Sequence, residues 1–342
     1  MSTVRVLVAD RSATVRGLLR RLLDEDVEIT VVGEVGDGRE ALDLVREQAP
    51  DAVVLDLDLP SLEGGALVEA IGAQGQIPMV LLTPRQHRDR LRTAFASLNR
   101  GVVAVFPKPE VPDGWAELGR LLRESVRHLG GQRSTERPTS GSSTGAAPCL
   151  TRALRYLAIG ASTGGPGALF DLLGALGRHP RVGVVVVQHI AEGFESGLAE
   201  WLGLELGIDV AIARPGDHLG KGCVRIAPAG GHLTLDRFGI LQVDRQTPAV
   251  NGHRPSVEVL FRSLADHPPE RVAAVLLSGM GADGADGMLA LRREGCLTVA
   301  QDEASSAVFG MPRAALDRGA AVVTLPPNEI GHLVARVTEA NG

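Results

Sequence analysis

The sequence predicts two α/β domains, each built on a parallel sheet with helices on both faces. Short apolar runs alternate with amphipathic stretches along the chain, and this alternation is typical of repeated βαβ units. At roughly 150 residues per domain, the chain of 342 residues corresponds to about two domains. With 44% hydrophobic and 22% charged residues, each domain has enough apolar surface to bury a core, so disorder of the whole chain is excluded.

Five apolar runs in the first 128 residues are interpreted as strands. They are Val4 to Ala9, Ile29 to Val35, Ala52 to Leu55, Met79 to Leu82 and Val102 to Phe106. Helical patterns lie between them, for example Ala13 to Leu23 and Arg39 to Glu47. Because strands alternate with helices, we predict a doubly wound domain with a five-stranded parallel sheet over residues 1–128.

The segment from about Gly130 to Pro148 differs in composition from the rest of the chain. It is rich in Gly, Ser, Thr and Pro and contains almost no large apolar side chain, which is typical of a flexible linker. We predict a linker over residues 129–150. The alternation then resumes, and we predict a second doubly wound α/β domain over residues 151–342, with strands at Tyr156 to Ile159, Val182 to Val187, Val224 to Ile226 and Val272 to Leu277.

Composition argues against several classes of protein. A net charge of -6 and 3% aromatic residues disfavour nucleic-acid binding, which needs a basic face with stacking platforms. Apolar stretches such as Val184 to Val187 fall far below the roughly 18 residues of a membrane span, and no signal peptide opens the sequence. Cys149, Cys223 and Cys296 are dispersed, so no disulfide framework or structural zinc site is predicted. We expect a cytoplasmic protein without membrane insertion.

The most informative motif is Gly-Ala-Ser-Thr-Gly, with Ser162 at its centre. It follows a predicted strand and precedes the helical pattern Ala168 to Leu176, which is the arrangement of a nucleophile elbow. Backbone N–H groups at the start of such a helix can stabilise an oxyanion. Gly-rich turns between strands and helices are also common without any catalytic role, so the motif alone does not decide.

Two other polar residues follow predicted strands. His189 ends one strand, and Asp283 follows another through a Gly-rich run. In open α/β sheets, sites form outside the carboxyl ends of strands, so Ser162, His189 and Asp283 are candidates for a nucleophile, a base and an orienting carboxylate. The alternatives are that His189 is a loop histidine and that Asp283 is a turn or N-cap residue.

The order Ser, His, Asp along the chain differs from the Ser, Asp, His order of α/β-hydrolases, so we predict a domain distinct from that fold. A dinucleotide site is also disfavoured. The closest match to its glycine pattern, Gly165 to Phe170, ends in Phe where a small residue is needed, and Gln188-His189 stands in place of the ribose-binding acid.

Five motifs of the second domain occur together in one known family. They are IGASTGGP around Ser162, VVQH ending in His189, PAVNGHRPSVEVLF from Pro248 to Phe261, SGMGADGADGM around Asp283, and AQDEASSAVFGMP from Ala300 to Pro312. On these motifs the second domain resembles the catalytic domain of the chemotaxis protein-glutamate methylesterases, the CheB family. The resemblance extends over most of residues 156–337 and implies hydrolysis of γ-glutamyl methyl esters on methyl-accepting chemoreceptors, together with deamidation of glutamines.

The resemblance also implies roles for single residues. Ser162 is the expected nucleophile, His189 the base and Asp283 the residue that orients His189, with no metal or organic cofactor for this step. The backbone N–H of Thr163 or of Met280 is expected to bind the oxyanion, and the sequence does not choose between them. Three further residues match the family motif, and we favour structural roles for them: Asn251, His253 and Arg254.

The first domain resembles the receiver domain of response regulators over nearly its full length, which implies a flavodoxin-like fold. In that resemblance Asp56 is the phosphoacceptor, Asp10 lies in its acidic pocket, and Thr83 and Lys108 bind phosphoryl oxygens. A chemotaxis histidine kinase is the expected phosphodonor. Lys108 is one of only two lysines in the chain, and this supports the match.

The pocket departs from the receiver pattern at position 11, where Arg11 replaces an expected Mg²⁺ ligand. A fixed cation within about 4 Å of another unit charge costs on the order of 4 kcal/mol at an effective dielectric of 20. We therefore predict a weak or absent Mg²⁺ site near Asp10, Asp56 and Asp58, and weak phosphorylation. Two alternatives remain: Arg11 points outward, or its guanidinium pairs with Asp10 and Asp56 and imitates a neutralised pocket.

Taken together, these features predict a receiver-regulated methylesterase with Ser-His-Asp catalysis. A non-catalytic signalling adaptor that uses both domains for partner binding is the alternative from another class. An esterase for small metabolites is a third interpretation, and the fused receiver disfavours it.

Overall fold

The structure of the protein is a computed structural model that describes residues 3–62, 64–75, 77–84, 93–98, 101–131 and 154–339. The chain divides into two compact units, Met1–Arg137 and Pro138–Gly342. Each unit contains a parallel sheet, as the alternation of apolar runs predicts.

The first unit is a five-stranded sheet with the strand order β2-β1-β3-β4-β5, and every pairing is parallel. This is the flavodoxin-like order, so the predicted fold is confirmed. The strands are β1 (Val4–Ala9), β2 (Ile29–Val35), β3 (Ala52–Asp56), β4 (Met79–Thr83) and β5 (Val102–Pro107). The helices with full bounds are α1 (Ala13–Asp24), α2 (Gly38–Gln48), α3 (Gly64–Gly72) and α4 (Pro112–Gly131).

Local signals explain where these elements begin and end. Strands β3 and β4 are buried along their whole length, which is why they consist of continuous apolar residues and do not alternate. Helix α1 starts after Ser12, whose hydroxyl accepts a hydrogen bond from the Val15 N–H as an N-cap. The carboxyl ends of β1, β3 and β4 place three polar residues at one edge of the sheet: Asp10, Asp56 and Thr83.

The second unit is a seven-stranded parallel sheet with the order β14-β13-β12-β6-β7-β9-β8. Its strands are β6 (Tyr156–Ala161), β7 (Gly183–Gln188), β8 (Asp209–Ile212), β9 (Cys223–Ile226), β12 (Val272–Leu276), β13 (Leu297–Gln301) and β14 (Val323–Leu325). A separate antiparallel hairpin is formed by β10 (His232–Leu235) and β11 (Leu241–Asp244). The helices are α5 (Gly165–Leu176), α6 (Phe194–Leu206), α7 (Val257–Ser263), α8 (Ala285–Arg293), α9 (Met311–Asp317) and α10 (Pro327–Glu339).

Every strand predicted from an apolar run is present, and its ends agree to within two residues. The structure adds strands that the sequence interpretation did not assign: β8, β13, β14 and the hairpin β10–β11. These strands are three to five residues long. A run of that length has little periodicity of its own, so pairing with a neighbouring strand decides its conformation.

The apolar core of the second unit holds helix α7 in place. Leu260 and Phe261 of α7 are fully buried and belong to one apolar cluster with Val187 of β7 and Leu276 of β12. Truncating a buried Phe of this kind typically costs about 3–5 kcal/mol. The cluster therefore holds the N-terminus of α7 firmly against the sheet.

The predicted linker lies mostly outside the described residues, as does Cys149. Helix α4 continues to Gly131, past the predicted domain end at 128, because glycine weakens a helix by about 1 kcal/mol without necessarily ending it. The described cysteines Cys223 and Cys296 are free thiols. Within the described ranges, no helix is long and apolar enough to cross a membrane.

Candidate active site

The order in which strands are added to the sheet of the second unit reverses at β6. The chain continues from β6 to its neighbour β7 on one side, while β12 pairs with β6 on the other side. Ser162 follows β6 directly, His189 follows β7 directly, and Asp283 lies in the segment between β12 and α8. A switch point of this kind forms a crevice at the carboxyl ends of the strands, and all three predicted residues lie in segments at this edge of the sheet.

Ser162 lies on a tight turn between β6 and α5. Its backbone N–H donates to Ser278 O at 3.0 Å, and its carbonyl accepts from Gly165 N at 2.8 Å. Gly164 has a φ of 78°, and a Cβ there would lie 2.5 Å from both Ala307 Cβ and Ser278 Oγ. The turn therefore needs glycine at position 164, for conformation and for space.

Backbone pairing keeps Ser162 beside His189. The residues before them, Ala161 and Gln188, are partners in the β6–β7 ladder, and His189 N donates to Ala161 O at 2.8 Å. The side-chain amide of Gln188 donates to the carbonyls of Ser162 at 2.7 Å and His189 at 3.0 Å. The two residues therefore leave the sheet side by side.

The imidazole of His189 contacts Asp283 through Nε2, at 3.0 Å from Oδ2. Because an ionised carboxylate only accepts hydrogen bonds, Nε2 carries the proton in the neutral ring. The other nitrogen, Nδ1, is buried and has no hydrogen-bond partner among the described residues. Nδ1 is therefore the nitrogen with a free lone pair, and it is the candidate base.

Asp283 is 2% exposed and receives five hydrogen bonds. Besides His189, the donors are Asn251 Nδ2 at 3.2 Å, Ser256 Oγ at 2.7 Å, Val257 N at 2.7 Å and Glu258 N at 3.2 Å. Burial raises the pKa of the Asp283 carboxyl, but the hydrogen bonds and the charge of His189 outweigh it and bring the pKa to about 2. The group is thus a carboxylate at neutral pH.

The segment between β11 and α7 contacts both Asp283 and His189. The sequence interpretation favoured structural roles for Asn251 and His253 and did not single out Ser256. In the structure Asn251 and Ser256 bind Asp283 directly, and the ring of His253 stacks on that of His189, with 3.8 Å between centroids and 7° between planes. Arg254 donates to the carbonyls of Arg245 at 3.5 Å and Thr247 at 3.3 Å, which are contacts within its own segment.

The backbone groups expected to bind an oxyanion are both available. Among the described residues, neither Thr163 N–H nor Met280 N–H donates a hydrogen bond to the protein. Thr163 follows Ser162, and Met280 lies two residues after Ser278, whose carbonyl accepts from Ser162 N. Both remain candidates, as they were from the sequence.

The acidic edge of the first unit is organised around one ammonium group. Lys108 Nζ lies 2.6 Å from Asp10 Oδ2 and 2.6 Å from Asp56 Oδ2, and both carboxylates are fully buried. Thr83 is also buried, and its hydroxyl has no partner in the described part of the chain. The strands β1, β3, β4 and β5 therefore bring Asp10, Asp56, Thr83 and Lys108 to one edge of the sheet.

Arg11 is exposed, and it forms no ion pair with any described residue. The alternative in which Arg11 pairs with Asp10 and Asp56 is therefore wrong, and Lys108 takes that place instead.

The residues of this acidic pocket fit Mg²⁺ poorly, because position 11 offers no carboxylate and the ammonium of Lys108 already lies between Asp10 and Asp56. Asp58, half-buried, donates its N–H to Asp56 Oδ1 at 3.1 Å. In the described ranges, no group of three His, Cys, Asp or Glu side chains is arranged to hold a metal.

Comparison with known proteins identifies both units. The family model described as CheB methylesterase matches residues 157–334, and the response regulator receiver domain model matches residues 6–116. The chain belongs to the CheB methylesterase family. The family model thus includes the Ser162, His189 and Asp283 positions, and the receiver model includes Asp10, Asp56, Thr83 and Lys108.

Curated relatives support the CheB assignment along nearly the whole chain. The protein-glutamate methylesterase/protein-glutamine glutaminase 2 of Anaeromyxobacter dehalogenans is 39% identical over 98% of this chain and 97% of its own length. A similarly named protein of Geobacter metallireducens is 36% identical over 96% of each chain. The crystal structure of the Thermotoga maritima CheB methylesterase catalytic domain covers 54% of this chain and all of its own, with a TM-score of 0.51 and 30% identity.

Proposed function

We propose that this chain hydrolyses γ-glutamyl methyl esters of methyl-accepting chemoreceptors, with Ser162 as nucleophile, His189 as base and Asp283 as the residue that orients His189. The observation that supports the proposal best is the hydrogen bond from His189 to Asp283, a buried carboxylate that accepts five hydrogen bonds from the protein. His189 itself follows a strand residue paired with the one before Ser162. An adaptor without catalysis would not need an ionised carboxylate buried at the cost of five donors.

In the acylation step, Ser162 Oγ attacks the ester carbonyl carbon while its proton moves to His189 Nδ1. The tetrahedral intermediate carries negative charge on the former carbonyl oxygen, and the N–H groups of Thr163 and Met280 are the donors available to bind it. The bond to the methoxy group then breaks, the methoxy oxygen takes the proton from Nδ1, and methanol leaves. A γ-glutamyl ester of Ser162 remains.

Water completes the cycle. His189 Nδ1 takes a proton from a water molecule, whose oxygen attacks the γ-glutamyl carbonyl of the acyl-enzyme. The bond to Ser162 Oγ breaks, the proton returns to Oγ, and glutamate is released. Asp283 stays ionised throughout, because its pKa is about 2, and it stabilises the imidazolium that forms on His189 in each half of the reaction.

Glutamine deamidation follows from the same residues. Attack on a γ-carboxamide gives the same γ-glutamyl ester of Ser162, provided that the leaving nitrogen receives the proton from His189 and departs as ammonia. The names of the relatives pair both activities, methylesterase and glutaminase. We propose both for this chain.

We propose that the first unit regulates this reaction in the cytoplasm, with Asp56 as phosphoacceptor and a histidine kinase as donor. The missing carboxylate at position 11 and the ammonium of Lys108 between Asp10 and Asp56 support weak Mg²⁺ binding, and phosphorylation that is correspondingly slow. No cofactor is proposed for the esterase step itself.

The test is methanol release from methylated chemoreceptor membranes. We expect release by the wild-type chain and a loss of at least about 1000-fold in Ser162→Ala with an unchanged folded structure, because the hydroxyl is the nucleophile. A Ser162→Ala protein with near-normal methanol release would contradict the assignment. Hydrolysis of a small chromogenic ester without any release from receptors would favour the small-metabolite esterase instead.

A further inference from the structure

The segment between β11 and α7 forms a tight turn whose tip faces the candidate active site. Val250 and His253 exchange two backbone hydrogen bonds of 3.0 Å each. Between them Asn251 and Gly252 have φ values of 54° and 81°. Positive φ at both central positions is what a type I′ turn requires, and Asn-Gly is the pair that adopts it most readily. We call residues 248–256 the Asn-Gly turn.

A buried histidine closes the base of the Asn-Gly turn. His232 is 1% exposed; its Nδ1 accepts from Ser256 N at 3.2 Å, and its Nε2 lies 3.0 Å from Pro248 O. It therefore joins the first and last residues of the turn. With its base joined and its tip closed by two backbone bonds, the turn presents His253 from a rigid support.

The ring of His253 lies flat against the ring of His189. In two parallel rings the nitrogen lone pairs and N–H bonds lie in the ring planes, so they do not point from one ring to the other. Proton exchange between the two rings is therefore excluded in this arrangement. What His253 supplies to His189 is a flat surface over one face of the imidazole.

His189 needs such a surface because its candidate basic nitrogen, Nδ1, is not the nitrogen that Asp283 holds. The hydrogen bond to Asp283 leaves from Nε2, which points closer to the direction of the Cβ–Cγ bond. The Nδ1 lone pair points nearly at right angles to that bond. Rotation about Cβ–Cγ therefore swings Nδ1 more than Nε2, and this torsion has a broad energy well in histidine. The bond to Asp283 alone controls the direction of Nδ1 weakly.

We propose that His253 is a positioning residue that holds the ring plane of His189 by stacking and so fixes the direction in which Nδ1 points. The inference rests on the proposed function in so far as it takes His189 as the base. The property of residue 253 on which the inference depends is its planar ring.

The direct readout is the rate at which a fluorophosphonate labels Ser162, followed by mass spectrometry of the full chain. Labelling forms a bond from Ser162 Oγ to phosphorus and releases fluoride, and it needs His189 to accept the serine proton but no receptor. We expect His253→Ala to lower the rate about 10- to 100-fold, as expected for a misdirected base. His253→Phe restores a planar ring and is expected to label within about threefold of wild type.

Two further variants complete the comparison. His253→Leu retains bulk without a planar ring and is expected to remain slow, and His332→Ala removes an exposed histidine of α10 and is expected to label at the wild-type rate. In methanol release from receptors, the His253→Ala loss is expected in kcat, with KM within about twofold. If His253→Ala does not fold, the Phe and Leu variants decide by themselves.

The inference is overturned if His253→Ala labels like wild type, or if folded Phe and Leu variants are equally slow. Labelling that depends on a planar ring at 253, without methanol release from receptors, supports the inference and contradicts the proposed function. Methanol release by the wild type, with labelling that is insensitive to residue 253, supports the proposed function and contradicts the inference. Absence of both labelling and methanol release in the wild type overturns both.

Discussion

Both units of this chain bury carboxylates at the carboxyl ends of parallel strands, but they balance the charge in different ways. Asp283 in the second unit is held by five donors, three of them from the start of α7 and the residue before it. Asp10 and Asp56 in the first unit share one ammonium, that of Lys108. Two of the Asp283 donors are backbone N–H groups, which cannot rotate away, whereas the ammonium of Lys108 lies at the end of a long side chain with several rotatable bonds.

The difference matches the roles that we propose for these carboxylates. A residue that orients a base works best when it is ionised and fixed, and donors already in place need no reorganisation during the reaction. A phosphoacceptor has to exchange its partners for a phosphoryl group, and a single flexible cation permits this. Charge balance by five donors therefore suits the proposed orienting role of Asp283, and charge balance by one side-chain cation suits the proposed phosphoacceptor role of Asp56.

Replacing Asp283 tests the catalytic side of this comparison and has the largest expected effect. Asp283→Asn removes the charge that stabilises the imidazolium and favours the wrong tautomer of His189, so we expect kcat for methanol release to fall about 1000- to 10,000-fold. Asp266→Asn, at an exposed position of the same unit, is the matched control and is expected to retain full activity. A loss below about tenfold in Asp283→Asn would show that this carboxylate does not orient the base.

Removing the ammonium tests the first unit. Lys108→Met leaves Asp10 and Asp56 buried without their cation, and we expect the free energy of unfolding of this unit to fall by about 3 kcal/mol. Lys221→Met removes the only other lysine of the chain, which is exposed, and is expected to change stability by less than about 0.5 kcal/mol. Chemical denaturation with a probe in each unit measures both. Equal stability of the two variants would mean that Lys108 does not balance the charge of the pocket.

The pH dependence of stability provides a third measurement. The pKa of Asp283 is lowered from 3.8 to about 2, so its contribution is complete above pH 4 and is lost as the pH falls toward 2. The shift corresponds to about 2 kcal/mol. We expect the difference in unfolding free energy between wild type and Asp283→Asn to shrink by about this amount between pH 5 and pH 2. The difference between wild type and Asp266→Asn is the reference, and a parallel change in both would contradict the assignment.

The smallest expected effect concerns position 11. Arg11→Asp restores an oxygen ligand beside Asp10 and Asp56, and Mg²⁺ binds oxygen ligands with strict geometry. We expect Mg²⁺-dependent labelling of Asp56 by a small phosphodonor to increase about tenfold, roughly the effect of 1.4 kcal/mol. Arg21→Asp makes the same charge change at an exposed position of α1 and is expected to label like wild type. Wild-type labelling as fast as that of Arg11→Asp would show that an outward Arg11 does not hinder the metal.

Sequence reasoning placed the elements that the residues themselves specify. Runs such as Val53 to Leu55 in β3 and Val184 to Val187 in β7 are apolar because both faces of a parallel strand are buried, and that requirement is visible without the fold. The ends of β6 and β7 then place Ser162 and His189 at one edge of the sheet. The pattern of Gly and Ser around position 162 is likewise a local requirement of a sharp turn.

Contacts between distant segments depended on the tertiary structure. Asn251 and Ser256 lie 32 and 27 residues before Asp283, and nothing in their own neighbourhood indicates that they bind a carboxylate. The outward direction of Arg11, the position of Lys108 between Asp10 and Asp56, and the stacking of His253 on His189 are of the same kind.

The sequence by itself determined the two parallel α/β domains and the order of the catalytic candidates, because these follow from local polarity and chain direction, and its resemblance to receiver domains indicated the acidic pocket. Only the tertiary structure decided which nitrogen of His189 is free, how Asp283 is held ionised and what lies against the His189 ring. Those properties depend on distances of about 3 to 4 Å between segments far apart in the chain. The packing of α7 and the Asn-Gly turn sets such distances, and no local pattern encodes them.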